Sequence, residues 1–254
     1  MSPLSRSLLA AALAAASVIA VALAACARGD AGVEQVRVLQ LHAGALVAKH
    51  AGAAGSARGS LRQRRAAPRL PPPARVPRVG SLALGAPNAG RLVNGLQLPA
   101  SGRDWITYDP VFRTTPNRPE RRWGTDRLLA YLLDVLRGYR LANPGAPPVV
   151  VGDLSRPHGG PFGRKYGGLG HASHQNGLDV DVYYPRLDRR LRAPRKVAQV
   201  DRRLAQDLVD RFVAAGAQYA FVGQRVGLRG PRGIVQAIPH HDDHVHVRIA
   251  NRRR

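Results

Sequence analysis

Three hydrophobic textures follow one another along the chain. Leu8 to Ala25 is an apolar run without a charge, preceded by Arg6. From Ala27 to about Arg78 large apolar side chains are few and Ala, Gly, Arg and Pro dominate, with Val33 to His50 as the stretch that could form a helix. From Val79 onward, regular periods appear. Apolar residues at 128, 129, 132, 133, 135 and 136 have helical spacing, with Thr125 or Asp126 placed as a cap and Asn143-Pro144-Gly145 as a stop. Residues 201–218 predict a second amphipathic helix, with Leu204, Leu208, Phe212 and Val213 on one side. The β-branched run in 147–153 reads as a buried strand, and residues 220–222 and 243–249 as two more. In 177–184, Leu178, Val180 and Val182 alternate with Asp179, Asp181 and Tyr183, which places both aspartates on one face of a strand. Helices and strands mix without βαβ alternation or an internal repeat. The expected class is therefore α+β, a central antiparallel sheet with flanking helices.

The first two textures bear on organisation. A basic head, an apolar run and small residues before Cys26 have the form of a secretory signal. A cysteine at the first mature position resembles the bacterial lipobox, which makes Cys26 the expected lipidation site; the alternative is an uncleaved membrane helix. The expected division is a lipoprotein signal peptide over 1–26, a basic disordered tether over 27–78, and a globular domain over 79–254. The tether follows from composition, because so few buriable side chains cannot offset the entropy of ordering. Cys26 is the only cysteine, so no intramolecular disulfide can form. The net charge of +23 would point to nucleic acid in a cytosolic protein. Export removes that partner and leaves the membrane and the anionic envelope surface.

Candidate chemistry lies in the third texture. Seven of nine histidines follow residue 157, and four lie between 240 and 246. His244 and His246, two apart on a strand, point the same way, while Val245 and Val247 point to the other face. A catalytic zinc takes three protein ligands and keeps a fourth position for water. His174 and Asp181, separated by a turn at Asn176-Gly177, can supply the remainder and complete a His2Asp site with the HxH pair. His244 and Asp243 both qualify as general base. His244 is preferred because it shares the face of His246. Asp179 is a candidate to orient a ligand imidazole. Arg156 and Arg248 are candidate receptors for a substrate carboxylate. Glycines between 159 and 170 suggest a flap or an ordinary loop.

The His174-x6-Asp181 and His244-x-His246 spacings resemble the zinc signature of the lysostaphin and D-Ala-D-Ala metallopeptidase group. The longer stretch GDLSRPHGGPFGRKYGGLGHASHQNGLDVDVYY resembles the penicillin-insensitive murein endopeptidases, and the likeness extends from about Val79 to Ile249. The resemblance implies His174, Asp181 and His246 as zinc ligands, His244 at the water or tetrahedral intermediate, and site roles for His171 and His241. It also implies hydrolysis of D-alanyl to meso-diaminopimelate cross-links in peptidoglycan, in a periplasmic protein. Ala27 after the lipid cysteine favours outer-membrane sorting. The competing expectations are a D,D-carboxypeptidase or L,D-peptidase of the same group, and a non-catalytic peptidoglycan-binding lipoprotein.

Overall fold

The computed structural model describes residues 75–166 and 172–251. The signal run, Cys26, nearly all of the tether and His171 lie outside them. No helix among the described residues is long and apolar enough to cross a membrane.

The chain opens with a hairpin of β1 (Leu82–Ala86) and β2 (Ala89–Val93), followed by β3 (Leu96–Gln97), β4 (Trp105–Thr107) and β5 (Trp123–Gly124). Helix α1 (Asp126–Ala142) leads to β6 (Val149–Val151) and β7 (Asp179–Tyr183). Helix α2 (Arg202–Ala214), β8 (Ala217–Gly223), β9 (Val235–Ile238) and β10 (His244–Ile249) complete the fold. Six strands form the main sheet in the order β4-β6-β7-β10-β8-β9.

Its centre is antiparallel, as expected: β6 with β7, β7 with β10, and β10 with β8. Its edges are not. β4 runs parallel to β6, and β9 runs parallel to β8. The parallel pairing at one edge follows from a crossover through α1, which carries the chain back to begin β6 beside β4. A strand as short as β4, with three residues, leaves no readable period in the sequence.

Both helices form where their patterns place them. Thr125 caps α1, its hydroxyl accepting a hydrogen bond from Leu128 N at 3.1 Å. Asp201 caps α2 in the same way through Leu204 N, also at 3.1 Å. Leu128, Leu132 and Leu136 of α1 and Leu208, Val209 and Phe212 of α2 are fully buried in one core with Val180, Val182, Val245, Val247, Ala220 and Val222 of the sheet. Each such Leu or Phe contributes about 1.5–3 kcal/mol on burial. Val213, expected on the buried side of α2, is only partly buried, and Val209 takes the inward position. The helices thus cover one face of the sheet. The other face is left to the polar residues of β7 and β10.

The sequence between β6 and β7 is packed where it is described. Gly159 adopts φ +72° between β2 and residue Gln175, and a Cβ there would lie 2.1 Å from the Gln175 carbonyl oxygen. Phe162 is buried under the Arg121 guanidinium, 4.6 Å from its ring centre. Residues 159–166 are therefore anchored, which favours the ordinary loop of the two readings the glycines left open; Gly167, Gly168 and Gly170 lie outside the described residues.

Candidate metal centre

The register of β7 against β10 builds the site. His246 lies opposite Asp181, Arg248 opposite Asp179, and His244 opposite Tyr183. All six side chains share the face away from the helices, because side chains alternate along each strand and their neighbours Val180, Val182, Val245 and Val247 point into the core. The alternation in 177–184 therefore separates core from site. All five residues of β7 are buried.

His174 arrives from the loop before β7. It has φ +67° and is fully buried, held between the β6 loop and the β1–β2 hairpin. Gln175 N donates to Pro87 O at 3.0 Å, and Asn176 Nδ2 to Gly85 O at 3.3 Å, so the hairpin braces this turn. A left-handed backbone at a histidine costs free energy that the surrounding contacts must offset, which marks the position as constrained.

The hydrogen bonds fix the tautomers of the cluster's two imidazoles. His174 Nδ1 lies 2.7 Å from the Leu154 carbonyl oxygen, which can only accept, so Nδ1 carries the proton and Nε2 presents a lone pair. His246 Nε2 lies 2.8 Å from Asp179 Oδ1, which leaves its Nδ1 lone pair facing His174. His174 Nε2 and His246 Nδ1 are 3.2 Å apart, and Asp181 Oδ1 lies 3.2 Å from the first and 3.1 Å from the second. Three lone pairs thus converge on one point in a buried place, where they repel unless a cation or a proton sits among them. His174, Asp181 and His246 form the one group among the described residues with the donors to hold a metal ion.

The electrostatics express the same demand. Burial pushes the Asp181 carboxyl up, but His174 and His244 outweigh it and hold it well below the usual carboxylate range. Asp179 is lowered too, burial being overcome by the hydrogen bond from His246. Burial would depress His246, yet Asp179 and Asp181 raise it.

Beside the cluster, His244 Nδ1 lies 2.7 Å from Asp243 Oδ1. Its Nε2 therefore presents a lone pair, 3.7 Å from Asp181 Oδ1. Burial lowers the His244 pKa, but Asp181 and Asp243 raise it above the ordinary value. Asp243 precedes the first residue of β10. It reaches the imidazole of its own neighbour from outside the strand, so the two alternative bases form a single pair. His241 packs against His244 with the rings tilted and their centres 4.8 Å apart, its Nδ1 2.7 Å from Pro239 O and its pKa lowered by burial.

The two arginines are engaged with the protein. Arg248 Nε donates to Asp179 Oδ1 at 2.7 Å, so it backs the Asp179–His246 contact instead of standing free in solvent. Arg156 donates to Pro161 O at 2.8 Å and to the Tyr166 hydroxyl at 3.2 Å, and lies over the Tyr166 ring. It ties down the loop after β6.

Sequence reasoning missed a buried pair behind the site. Arg121 and Asp153 are both fully buried and form a two-pronged ion pair, and Arg121 also donates to Tyr166 O. Asp181 N donates to Asp153 O at 2.9 Å, which links this pair to a cluster residue through one backbone bond. The flanking Arg-rich text gave no sign that one arginine would be interior.

The mixed α/β fold carries on its central sheet a buried His-Asp-His donor set that could hold a metal ion. The sequence profile of the penicillin-insensitive murein endopeptidases matches residues 83–216, and the chain belongs to that family. It is similar to the penicillin-insensitive murein endopeptidase of Haemophilus influenzae, 33% identical over 100 residues, which cover 39% of this chain and 30% of that protein. The enzyme of the same name from Escherichia coli O157:H7 is 42% identical over 72 residues, 28% of this chain and 23% of its own length. That of Klebsiella pneumoniae is 31% identical over 100 residues, 39% of this chain and 31% of its own. The chain thus spans less than a third of the length of these relatives. The family match contains His174 and Asp181 but ends before β8 and β10. The tertiary pairing of β10 with β7 brings His244 and His246 to them.

Proposed function

We propose that the protein is a zinc-dependent D,D-endopeptidase that hydrolyses D-alanyl to meso-diaminopimelate cross-links of peptidoglycan. The observation that carries this reading is the meeting of three lone pairs 3.1–3.2 Å apart with a fourth imidazole beside them. Donors at 2.0–2.1 Å from a tetrahedral zinc are about 3.3 Å from one another, so His174, Asp181 and His246 fit that ion with little movement. The set supplies three ligands, the number that leaves a position for water or substrate. When bound there, zinc acidifies water and polarises a carbonyl oxygen.

The chain's own groups supply the rest. His244 Nε2 takes the proton of the attacking water and returns it to the leaving nitrogen. Asp243 holds His244 in the tautomer that leaves Nε2 free to accept, and stabilises the imidazolium once formed. Asp179 performs the corresponding service for the ligand His246, with Arg248 behind it. His241 packs on His244 and fixes its ring plane. The proposed setting is the envelope, with a lipid on Cys26 holding the domain at the outer membrane and the basic tether of 27–78 lying against anionic surface.

The test is incubation of the full chain with purified cross-linked muropeptide dimers, with and without a chelator, followed by mass spectrometry. Conversion of dimers to monomers, blocked by the chelator, restored by zinc and abolished in His246→Ala, is the expected result. Dimers that stay cross-linked but lose a terminal D-alanine would make the protein a carboxypeptidase. Unchanged dimers that still bind would make it a peptidoglycan-binding protein.

A further inference from the structure

A cavity of about 540 Å³ adjoins the cluster, lined in part by Tyr108, Tyr183, Arg113, Arg195, Lys196 and Asp243. That volume is in the range of small-ligand sites. It meets the proposed catalytic pair directly. Asp243 is the partner of His244, and the Tyr183 ring stands edge-on to the His244 ring at 5.8 Å. Tyr183 is also two residues along β7 from Asp181 on the same face, one strand repeat of about 7 Å from the cluster.

The lining is cationic, and its cations are not committed elsewhere. Four basic side chains face two carboxylates, since Arg225 and Asp242 also line the cavity. Those two neutralise each other, with Arg225 Nε 2.6 Å from Asp242 Oδ2, and Asp243 is occupied by His244. No side-chain hydrogen bond or ion pair ties Arg113, Arg195 or Lys196 to any described residue. Arg113, Arg195 and Lys196 nevertheless line one cavity together with Tyr108. Tyr108 and Tyr183 are stacked edge to face at 5.2 Å, and neither hydroxyl has a partner among the described residues. A phenol is an O–H donor at neutral pH, so both rings can donate into the cavity. Two donors on the floor and three uncommitted cations at the rim make a receptor for a small anion.

We propose that this cavity receives a carboxylate on the leaving-group side of the scissile bond, with Arg113, Arg195 and Lys196 as its specificity-determining cations and Tyr108 and Tyr183 as hydrogen-bond donors. The identity of that carboxylate rests on the function proposed above. In a D-alanyl to diaminopimelate cross-link, the carbon bonded to the leaving nitrogen carries a free carboxylate, within reach of a cavity that starts beside the proton-transferring His244. Amidation of that group removes the charge while leaving the scissile bond intact.

Two muropeptides that differ only in this group, free carboxylate against carboxamide, provide the experiment. Their binding to the full chain is measured by calorimetric titration and their cleavage by mass spectrometry, for the wild type and for the combined Arg113→Gln, Arg195→Gln and Lys196→Gln variant. The wild type is expected to bind the carboxylate form about tenfold more tightly, the triple variant to bind both alike, and the preference to fade with added salt. Equal binding of the two forms by the wild type, or a preference that survives in the variant, overturns the proposal. Preference without cleavage would remove the hydrolase reading and keep the anion site; cleavage without preference would do the reverse.

Discussion

His246 is held from both ends: one ring nitrogen faces the cluster and the other contacts Asp179 at 2.8 Å. Asp179→Asn keeps the volume but can turn an amide N–H toward His246 Nε2, which disrupts the tautomer that aims Nδ1 at the cluster, and it leaves Arg248 without its anion. The expected outcome is metal affinity weakened roughly ten- to a hundredfold, measured by competition with a chromogenic chelator. Asp243→Asn should separate from it. That change acts on His244 and leaves the contacts of His174, Asp181 and His246 in place, so metal affinity should hold while kcat on muropeptide dimers falls roughly ten- to a hundredfold. Equal loss of metal in the two variants would remove the distinction. At this scale the sequence was informative, because two residues apart on a strand means one face. It left Asp243 against His244 open, because the turn before β10, where side chains do not alternate, lets Asp243 reach the neighbouring ring.

Helices α1 and α2 are joined at their polar margin as well as through the core. Asp207 of α2 accepts from Asn143 Nδ2 at 2.7 Å and from Arg211 Nε at 2.9 Å. Burial opposes its charge, but these hydrogen bonds outweigh burial and lower its pKa. A carboxyl lowered by folding contributes stability above its unfolded value, near pH 4, and that contribution is lost as pH falls through the folded value. Asp207→Asn should therefore be less stable than wild type at neutral pH, and the gap should close below about pH 4, as read from urea midpoints across pH. The helix starts were legible, because caps are local chemistry; the end of α2 was not, since residues 217 and 218, read as helix, begin β8. The parallel edges of the sheet were not, since pairing partners are chosen by contacts remote in sequence and a three-residue strand has no period of its own.

Across the whole molecule, the cluster depends on a scaffold with no part in its chemistry. Arg121 and Asp153, fully buried, stand between the loop after β6 and the backbone of Asp181. Removing one partner strands a buried charge, so Arg121→Met should cost about 3–5 kcal/mol, while Arg121→Met with Asp153→Leu should recover much of the loss. Chemical denaturation of the three proteins checks this, and an additive double variant would show that the pair is uncoupled. The amino-acid sequence by itself determined what is local: the two capped helices, the strands with a clear period, the donors His174, Asp181, His244 and His246, and through its motifs the family. Tertiary structure decided what depends on contacts between distant segments. It set the β7–β10 register that aligns His246 with Asp181, the pairing of Arg248 with Asp179, the burial of Arg121, and the gathering of Arg113, Arg195 and Tyr108 around one cavity. The physical reason is that backbone periodicity is fixed within a few residues, whereas the environment that sets a charge's partner and its cost is assembled only when the chain closes on itself.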